Sequence, residues 1–369
     1  MKYYIIAGEA SGDMHGANLM KELKRQDSSA VFRCWGGDRM QHAGGEIVKH
    51  YRELAFMGFT EVIMNLRTIL RNISFCKKDI LEWKPDAVIL IDYPGFNLRI
   101  AEFAHVIKLK VIYYISPQVW AWKQSRVQKI KKFVDRMLVI LPFEKDFYKK
   151  FDCDVDYVGH PLLDEINQTN SPATWKDKYF GSKPIIALLP GSRMQEINKM
   201  LPLMLSAVNK FPDYHFAVSA APSADNTTIE KLCNGFPVKI IYAESYSLLK
   251  NSFAALVTSG TATLETALFG VPQVVCYKGG TISYLIAKQL VNVKFISLVN
   301  LIMEKEVVKE LIQNQLTEKN ITAELEKILQ DENRIRILAQ YNELRTRLGG
   351  SGASERAAQK IVEFLIAGK

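Results

Sequence analysis

Short β-branched runs alternate with longer amphipathic segments along the whole chain. The runs "YYIIAG" (3–8), "AVFRCWGG" (30–37), "AVILID" (87–92), "KVIYYIS" (110–116), "RMLVILP" (136–142) and "VDYVGH" (155–160) read as strands. A second series follows: "PIIALLPG" (184–191), "HFAVSAA" (215–221), "VKIIYA" (238–243), "AALVTSG" (254–260), "PQVVCYK" (272–278) and "FISLVN" (295–300). Most are continuously apolar rather than alternating, as strands covered by helices on both faces must be. Two such series predict an α/β protein of two Rossmann-like, doubly wound domains. The turn-rich stretch "GHPLLDEINQTNSPATW" (159–175) marks the join, giving expected domains of 1–165 and 166–344. From about Thr317 the pattern is helical only, broken at Gly349, Gly350 and Gly352.

The length of 369 residues exceeds one ordinary core and suits two. No apolar run approaches the ~18 residues of a membrane helix, and the N-terminus lacks a signal-peptide pattern, so a cytosolic location is expected. Cys34, Cys76, Cys153, Cys233 and Cys276 are far apart and form no CxxC pair, and no HExxH is present. Reduced thiols and no metal site are therefore expected. The net charge of +9 favours an anionic partner such as a nucleotide, a nucleic acid or a lipid surface. The basic residues are spread through βα units without a nucleic-acid-binding module, which argues against nucleic acid.

Ligands of open α/β sheets sit at the carboxyl ends of strands, so the loops there carry the chemistry. In "LVTSGTATLETALFGVPQVV" (256–275) a strand runs into the turn Ser259-Gly260-Thr261 and then a helix. A helix N-terminus offers N–H groups and a positive dipole end to a phosphate. Glu265, about one and a half turns in, suits a ribose diol, though a solvated residue of an ordinary capped turn has the same spacing. In "ALLPGSRMQEI" (187–197) a Pro-Gly-Ser turn precedes Arg193, which is suited to bidentate phosphate contact or, as most arginines are, to the surface. Asp92 ends a β-branched run ahead of Pro94, Gly95 and Asn97. It fits a general base for a sugar hydroxyl and a turn or capping aspartate equally well.

The opening loop "IIAGEASGDMHG" (5–16) has its glycines at Gly8, Gly12 and Gly16, which fails the G-x-G-x-x-G spacing, and no GxxxxGK[ST] exists. Glu9 and Asp13 would repel a pyrophosphate and suit sugar hydroxyls or loop organisation. The glycines are expected to let a sugar and the facing domain come close. Apolar Phe56, Met57, Phe59, Ile63 and Met64 are followed by Arg67, Arg71, Lys77 and Lys78, and Trp120 and Trp122 precede a basic segment. Both stretches suit a membrane surface or acyl chains, or a helix on the sheet with a solvated basic face.

The ordered set "GEASGDMHG", "ELAFMGFTEV", "SPQVWAW", "LPFEKDFY", "GHPLLD", "LLPGSR", "SGTATLE" and "NLIMEKEVVKELIQ" closely resembles the lipid-A-disaccharide synthase family, inverting glycosyltransferases of Gram-negative bacteria. The resemblance runs from Ile5 to the final helix. It implies the GT-B architecture, two such domains facing across a cleft, with the final helix (about 345–369) returning to the first. It implies condensation of UDP-2,3-diacylglucosamine with 2,3-diacylglucosamine 1-phosphate (lipid X) to a β-1,6-linked disaccharide 1-phosphate and UDP. No cofactor or metal is implied. The expected location is peripheral, at the cytosolic face of the inner membrane, and the oligomeric state is left open, a homodimer included. By the same resemblance Asp92 is the catalytic base. Gly191, Ser192, Arg193, Ser259, Gly260, Thr261, Ala262, Glu265, Asn300 and Gln313 attend the UDP, and Glu9, Ser11 and Asp13 face the acceptor. Two departures stand out: Lys123 where the family often has arginine, and Val299 where proline often precedes the asparagine. A UDP-N-acetylglucosamine 2-epimerase of the same fold and a non-enzymatic UDP-sugar-binding peripheral membrane protein are the alternatives.

Overall fold

The structure, a computed structural model, describes residues 1–54, 66–121, 123–169, 171–172, 174–222, 224–279 and 294–368. It contains two parallel sheets. The first is built from β1 (Lys2–Ala7), β2 (Val31–Gly36), β3 (Gly45–His50), β4 (Ala87–Ile91), β5 (Lys110–Tyr114), β6 (Arg136–Val139) and β7 (Asp156–Tyr157), in the order β3-β2-β1-β4-β5-β6-β7. The second is built from β8 (Ile185–Leu189), β9 (His215–Ala220), β10 (Val238–Tyr242), β11 (Ala254–Thr258), β12 (Gln273–Tyr277) and β13 (Lys309–Ile312), in the order β10-β9-β8-β11-β12-β13. Strands β4, β8 and β11 are buried at every position, which is why their sequences are apolar without alternation.

The sequence pattern finds one edge of each sheet, β7 within 155–160 and β10 within 238–243, and fails at the other. The edge strand β3, "GEIVKH", is mostly half-buried and carries three polar residues, so no apolar run announces it. "FISLVN" is not a strand. Ser297 instead caps the helix Leu298–Met303, accepting from the Asn300 N–H at 3.2 Å. The Glu310 carboxylate takes the N–H groups of Ile296 and Ser297 at 3.0 and 2.9 Å. These polar anchors divert the segment, and Lys309–Ile312 pairs with β12 in its place.

The chain divides into two compact units, Met1–Asp164 with Gly350–Lys369, and Glu165–Gly349. In the first, the last helix (Ala353–Ala367) packs on the first (Ala10–Gln26). Asp164 fixes the returning chain by accepting from the N–H groups of Gly352 and Ser354 at 2.5 and 2.9 Å. The helix Leu66–Trp83 is tied to the sheet by a buried polar group. The Asp79 carboxylate accepts from the Tyr4 hydroxyl at 2.7 Å and from Arg33 Nε and Nη2 at 2.9 and 2.7 Å. Such a fork satisfies both carboxylate oxygens, the condition under which a buried charge is tolerated. No helix among the described residues is long and apolar enough to cross a membrane.

Candidate active site

Where strand order reverses in a parallel sheet, the loops leaving the two central strands diverge and open a crevice at their carboxyl ends. In the first sheet the reversal lies between β1 and β4, whose loops carry Glu9 and Asp92. In the second it lies between β8 and β11, whose loops carry Arg193 and Ser259. Topology alone thus brings the sequence candidates to the two switch points, where open α/β sheets bind their ligands.

In the first unit, Asp92 and Tyr93 both adopt left-handed backbone, with φ of 43° and 48°. Ile115, at the end of the adjacent β5, has φ of 66° and accepts from the Asp92 N–H at 3.2 Å. Such conformations cost about 1–3 kcal/mol each in non-glycine residues and persist only where the surroundings impose them. Here the Tyr113 hydroxyl donates to the Asp92 carbonyl at 2.5 Å, and Asn97 Nδ2 donates to the same oxygen at 2.8 Å. Burial, and then the nearby charge of Glu9, push the Asp92 carboxyl up to about 7, against the lowering effect of the Tyr93 N–H. A carboxylate poised near neutral pH is suited to general base catalysis. Glu9 is half-buried at the start of the first helix, with Ser11 half-buried in its first turn.

Of the two roles its sequence allows, Asp13 takes that of loop organiser. It is buried, and its two oxygens take the N–H groups of Gly37, Met40 and Arg39 at 2.7, 3.1 and 3.1 Å. It holds the N–H groups at the start of the short helix Asp38–His42 and so organises the loop before it. The glycines of the opening loop make room for side chains of the protein itself. A Cβ on Gly8 would stand within 2.6 Å of ring carbons of Tyr93, and one on Gly16 2.8 Å from Met40 Sδ. Gly12 lies against Ala7 of β1.

Glu144 was not foreseen. It is buried after β6, pushed up to about 7 by burial, and accepts from the N–H groups of Leu141 and Ile140 at 2.9 and 3.2 Å. Trp120, expected as a membrane anchor, is only 8% exposed, with its ring edge-on to Phe143 at 5.0 Å. Its indole belongs to the interior of the first unit, and that expectation is corrected. Phe56, Met57, Phe59, Ile63, Met64 and Trp122 lie outside the described residues.

The second unit is built the other way. Gly260, with φ of 149°, begins the helix Thr261–Leu268, and a Cβ added to it would meet nothing within 4 Å. The N–H groups of Thr261 and Ala262, in the first turn, have no acceptor within the helix. Ser259 Oγ donates to the Ile296 carbonyl at 3.0 Å, tying the turn to the segment that Glu310 holds. Glu265 accepts from the Tyr246 hydroxyl at 2.9 Å, which orients its carboxylate. Arg193 is 49% exposed at the N-cap of the helix Met194–Leu205, and its Nη1 donates to Glu196 at 3.0 Å. Glu196 in turn folds over Gly191, where φ is 106° and a Cβ would come within 2.6 Å of the carboxylate; Ser192 beside it is exposed.

The two remaining candidates differ. Asn300 is fully buried, and its amide is saturated. Oδ1 accepts from the Val307 and Val308 N–H groups at 2.8 and 3.0 Å, and Nδ2 donates to the Val308 carbonyl and Glu310 at 2.8 and 2.9 Å. An amide has two donors and two acceptor sites, so direct nucleotide contact by this side chain is corrected to a loop-holding role. Gln313 is left-handed, with φ of 54°, and its buried Nε2 has no hydrogen-bond partner among the described residues. It is a donor that a ligand can satisfy. Among the described residues no cluster of three or more His, Cys, Asp or Glu is placed to hold a metal ion.

A family model described as lipid-A-disaccharide synthetase matches residues 3–364. A lipid-A-disaccharide synthase of Syntrophus aciditrophicus is 42% identical over 96% of this chain and 95% of its own length. Among solved structures, UDP-bound MnaA of S. aureus superposes with a TM-score of 0.69 over 99% of this chain and 96% of its own, at 15% identity. The glycotransferase of kitacinnamycin gives 0.67 over 99% of both chains, at 14% identity. At that identity the two structures establish the fold alone.

Proposed function

We propose, for a chain that belongs to the lipid-A-disaccharide synthase family, that Asp92 is the general base and that Arg193 and the Ser259-Gly260-Thr261 turn receive the departing diphosphate. The chain is a glycosyltransferase that forms the lipid A disaccharide from a UDP-sugar and lipid X. The donor in this reading is UDP-2,3-diacylglucosamine. The 6-hydroxyl of lipid X attacks the anomeric carbon of the donor from the face opposite UDP. As the new C–O bond forms and the bond to the diphosphate breaks, the hydroxyl proton passes to the Asp92 carboxylate. UDP leaves, and inversion gives the β-1,6 linkage.

The observation that carries this reading is the Asp92 loop: a carboxyl group at a topological switch point, pushed up to about 7 and held in strained backbone. A structural capping aspartate needs neither property. In the second unit, negative charge developing on the diphosphate meets the Arg193 guanidinium and the N–H groups at the start of Thr261–Leu268. Glu265, set by Tyr246, suits the ribose diol, and Gln313 Nε2 suits a nucleotide acceptor atom. Glu9 and Ser11 remain the acceptor-side residues. The 2-epimerase reading is not favoured, because its support is a fold shared at 14–16% identity. The non-enzymatic reading has no support from the family.

The outer side of the Leu66–Trp83 helix exposes Leu70, Phe75 and Leu81, with Arg67, Arg71 and Lys78 exposed on the same helix. A hollow of ≈ 320 Å³ lined by Val48, Lys49, Arg71, Asn72 and Phe75 lies beside it. This mixture suits peripheral attachment to the anionic cytosolic face of the inner membrane. Co-sedimentation with anionic vesicles, weakened in Phe75→Glu, is the expected result; undiminished binding by that variant would move attachment elsewhere. The catalytic roles are tested by incubating purified Asp92→Asn and Arg193→Ala with both substrates and weighing the product. Each variant is expected to stay folded and lose most turnover, and a near-normal rate in either removes that residue from its role.

A further inference from the structure

We infer that Tyr93, Asn97 and Tyr113, together with the space left by Gly8, form a clamp that holds Asp92 in left-handed backbone and so aims its carboxylate at the acceptor hydroxyl. The inference rests on the reading of Asp92 as the general base. None of the four residues needs to touch substrate; they are positioning residues acting through Asp92.

Two independent grips meet at this loop. The first acts on the Asp92 carbonyl. Tyr113 and Asn97 are both fully buried, and the Tyr113 hydroxyl and Asn97 Nδ2 donate to that oxygen at 2.5 and 2.8 Å. The same Asn97 nitrogen lies 3.2 Å from the Ile91 carbonyl and 3.5 Å from that of Ile6, so it spans β4 and β1. A carbonyl oxygen accepts two hydrogen bonds, and this one has both. Were the loop to relax into extended backbone, the carbonyl would swing away and leave two donors buried without that acceptor.

The second grip acts on the neighbouring ring. Tyr93 is also left-handed, and its ring occupies the space where a side chain on residue 8 would stand. Behind it the ring stacks on Phe96, with centroids 5.6 Å apart and planes at 24°. The ring is therefore held between the loop after β1 and the helix Pro94–Val106. Gly8 is not at positive φ; what it supplies is volume. One added methyl group has to displace Tyr93, and Asp92 is the adjacent residue.

The test is a mutant cycle on the full-length enzyme with UDP-2,3-diacylglucosamine and lipid X, using Gly8→Ala, Tyr93→Ala, the double variant and Tyr113→Phe, with Asp92→Asn alongside. Gly8→Ala is expected to lower kcat by about tenfold or more while both KM values stay within about twofold, the signature of an interaction felt only in the transition state. Tyr93→Ala is expected to lose a similar factor, and the double variant no more than Tyr93→Ala alone, because the clash has gone. Tyr113→Phe removes one hydroxyl group and is expected to lower kcat with unchanged KM. It reads the clamp even where Gly8→Ala folds poorly. If Asp92→Asn is inactive while Gly8→Ala and Tyr113→Phe keep wild-type kcat, or if the Gly8 and Tyr93 losses multiply, the clamp is wrong and the base assignment stands. If Asp92→Asn is active, the base assignment fails, and the clamp fails with it.

Discussion

Gly8 and Gly260 each follow a central strand at a switch point, and they are there for opposite reasons. Gly8 makes room for a tyrosine ring of the protein itself. Gly260 takes a backbone conformation that side chains resist, and a Cβ there would meet only open space. The contrast extends to the loops around them. In the first unit hydrogen bonds turn inward: Asp13, Asn97, Tyr113 and Glu144 are engaged with backbone groups, and one carboxyl, Asp92, is left poised. In the second unit, the Thr261 and Ala262 N–H groups lack an intrahelical acceptor, Gln313 Nε2 has no described partner, and Arg193 is half-exposed. A site that aims one proton acceptor needs rigidity supplied by the protein. A site that receives a diphosphate needs donors that the ligand itself completes.

Substitutions can break this contrast in order of size. Asp92→Asn is expected to reduce kcat by about 10²–10⁴-fold, the usual worth of a general base. Asparagine tolerates left-handed backbone, so the fold survives the change. Its stability carries a second signature. A carboxyl group whose folded pKa is raised stabilises the fold at low pH, and that contribution is lost as pH rises through about 7. Asp92→Asn escapes this loss, so its Tm is expected to exceed that of the wild type at pH 8, and the gap to narrow below about pH 7 and close only near the unfolded value of about 4 in thermal melts. Arg193→Ala is expected to cost about 10²–10³-fold in turnover with little change in Tm.

Gly260→Ala places an alanine at positive φ in the turn proposed to receive the diphosphate. A rise of about tenfold in donor KM is expected, equivalent to ~1.4 kcal/mol, with acceptor KM unchanged. Equal effects on both substrates in steady-state kinetics would erase the division between the loops. Asp13→Ala is the smallest kinetic change. Loss of the three N–H contacts is expected to cost about 2 kcal/mol of stability in urea unfolding, with KM for lipid X within about twofold. A large KM effect without destabilisation would restore Asp13 as a hydroxyl reader.

The buried strands were legible because short continuous apolar runs between amphipathic segments have few other uses in an α/β chain. Edge strands β3 and β13 were not, since "GEIVKH" and "KELI" interrupt their apolar residues with charged ones, whereas the exposed edge β10 keeps the apolar run "IIY". "FISLVN" misled because its fate is set by Glu310, ten or more residues away. Asp92, Arg193 and the Ser259 turn could be picked out by their place after strands. The internal ties of the site could not. Tyr113 meets Asp92 from another strand, Gly8 meets Tyr93 across 85 positions of sequence, and the saturation of Asn300 appears only once Val307, Val308 and Glu310 fold back on it. Residue type announced chemistry; which acid does it and which acid holds a loop was decided by partners distant in sequence.

The pH dependence of kcat/KM tests the central claim most directly. With Asp92 as the base, raised by burial and Glu9, the wild-type rate is expected to fall about tenfold per pH unit below a midpoint near 7, and Asp92→Asn to show no such limb. A flat wild-type profile from about pH 5 to 8, or the same limb persisting in Asp92→Asn, would contradict it.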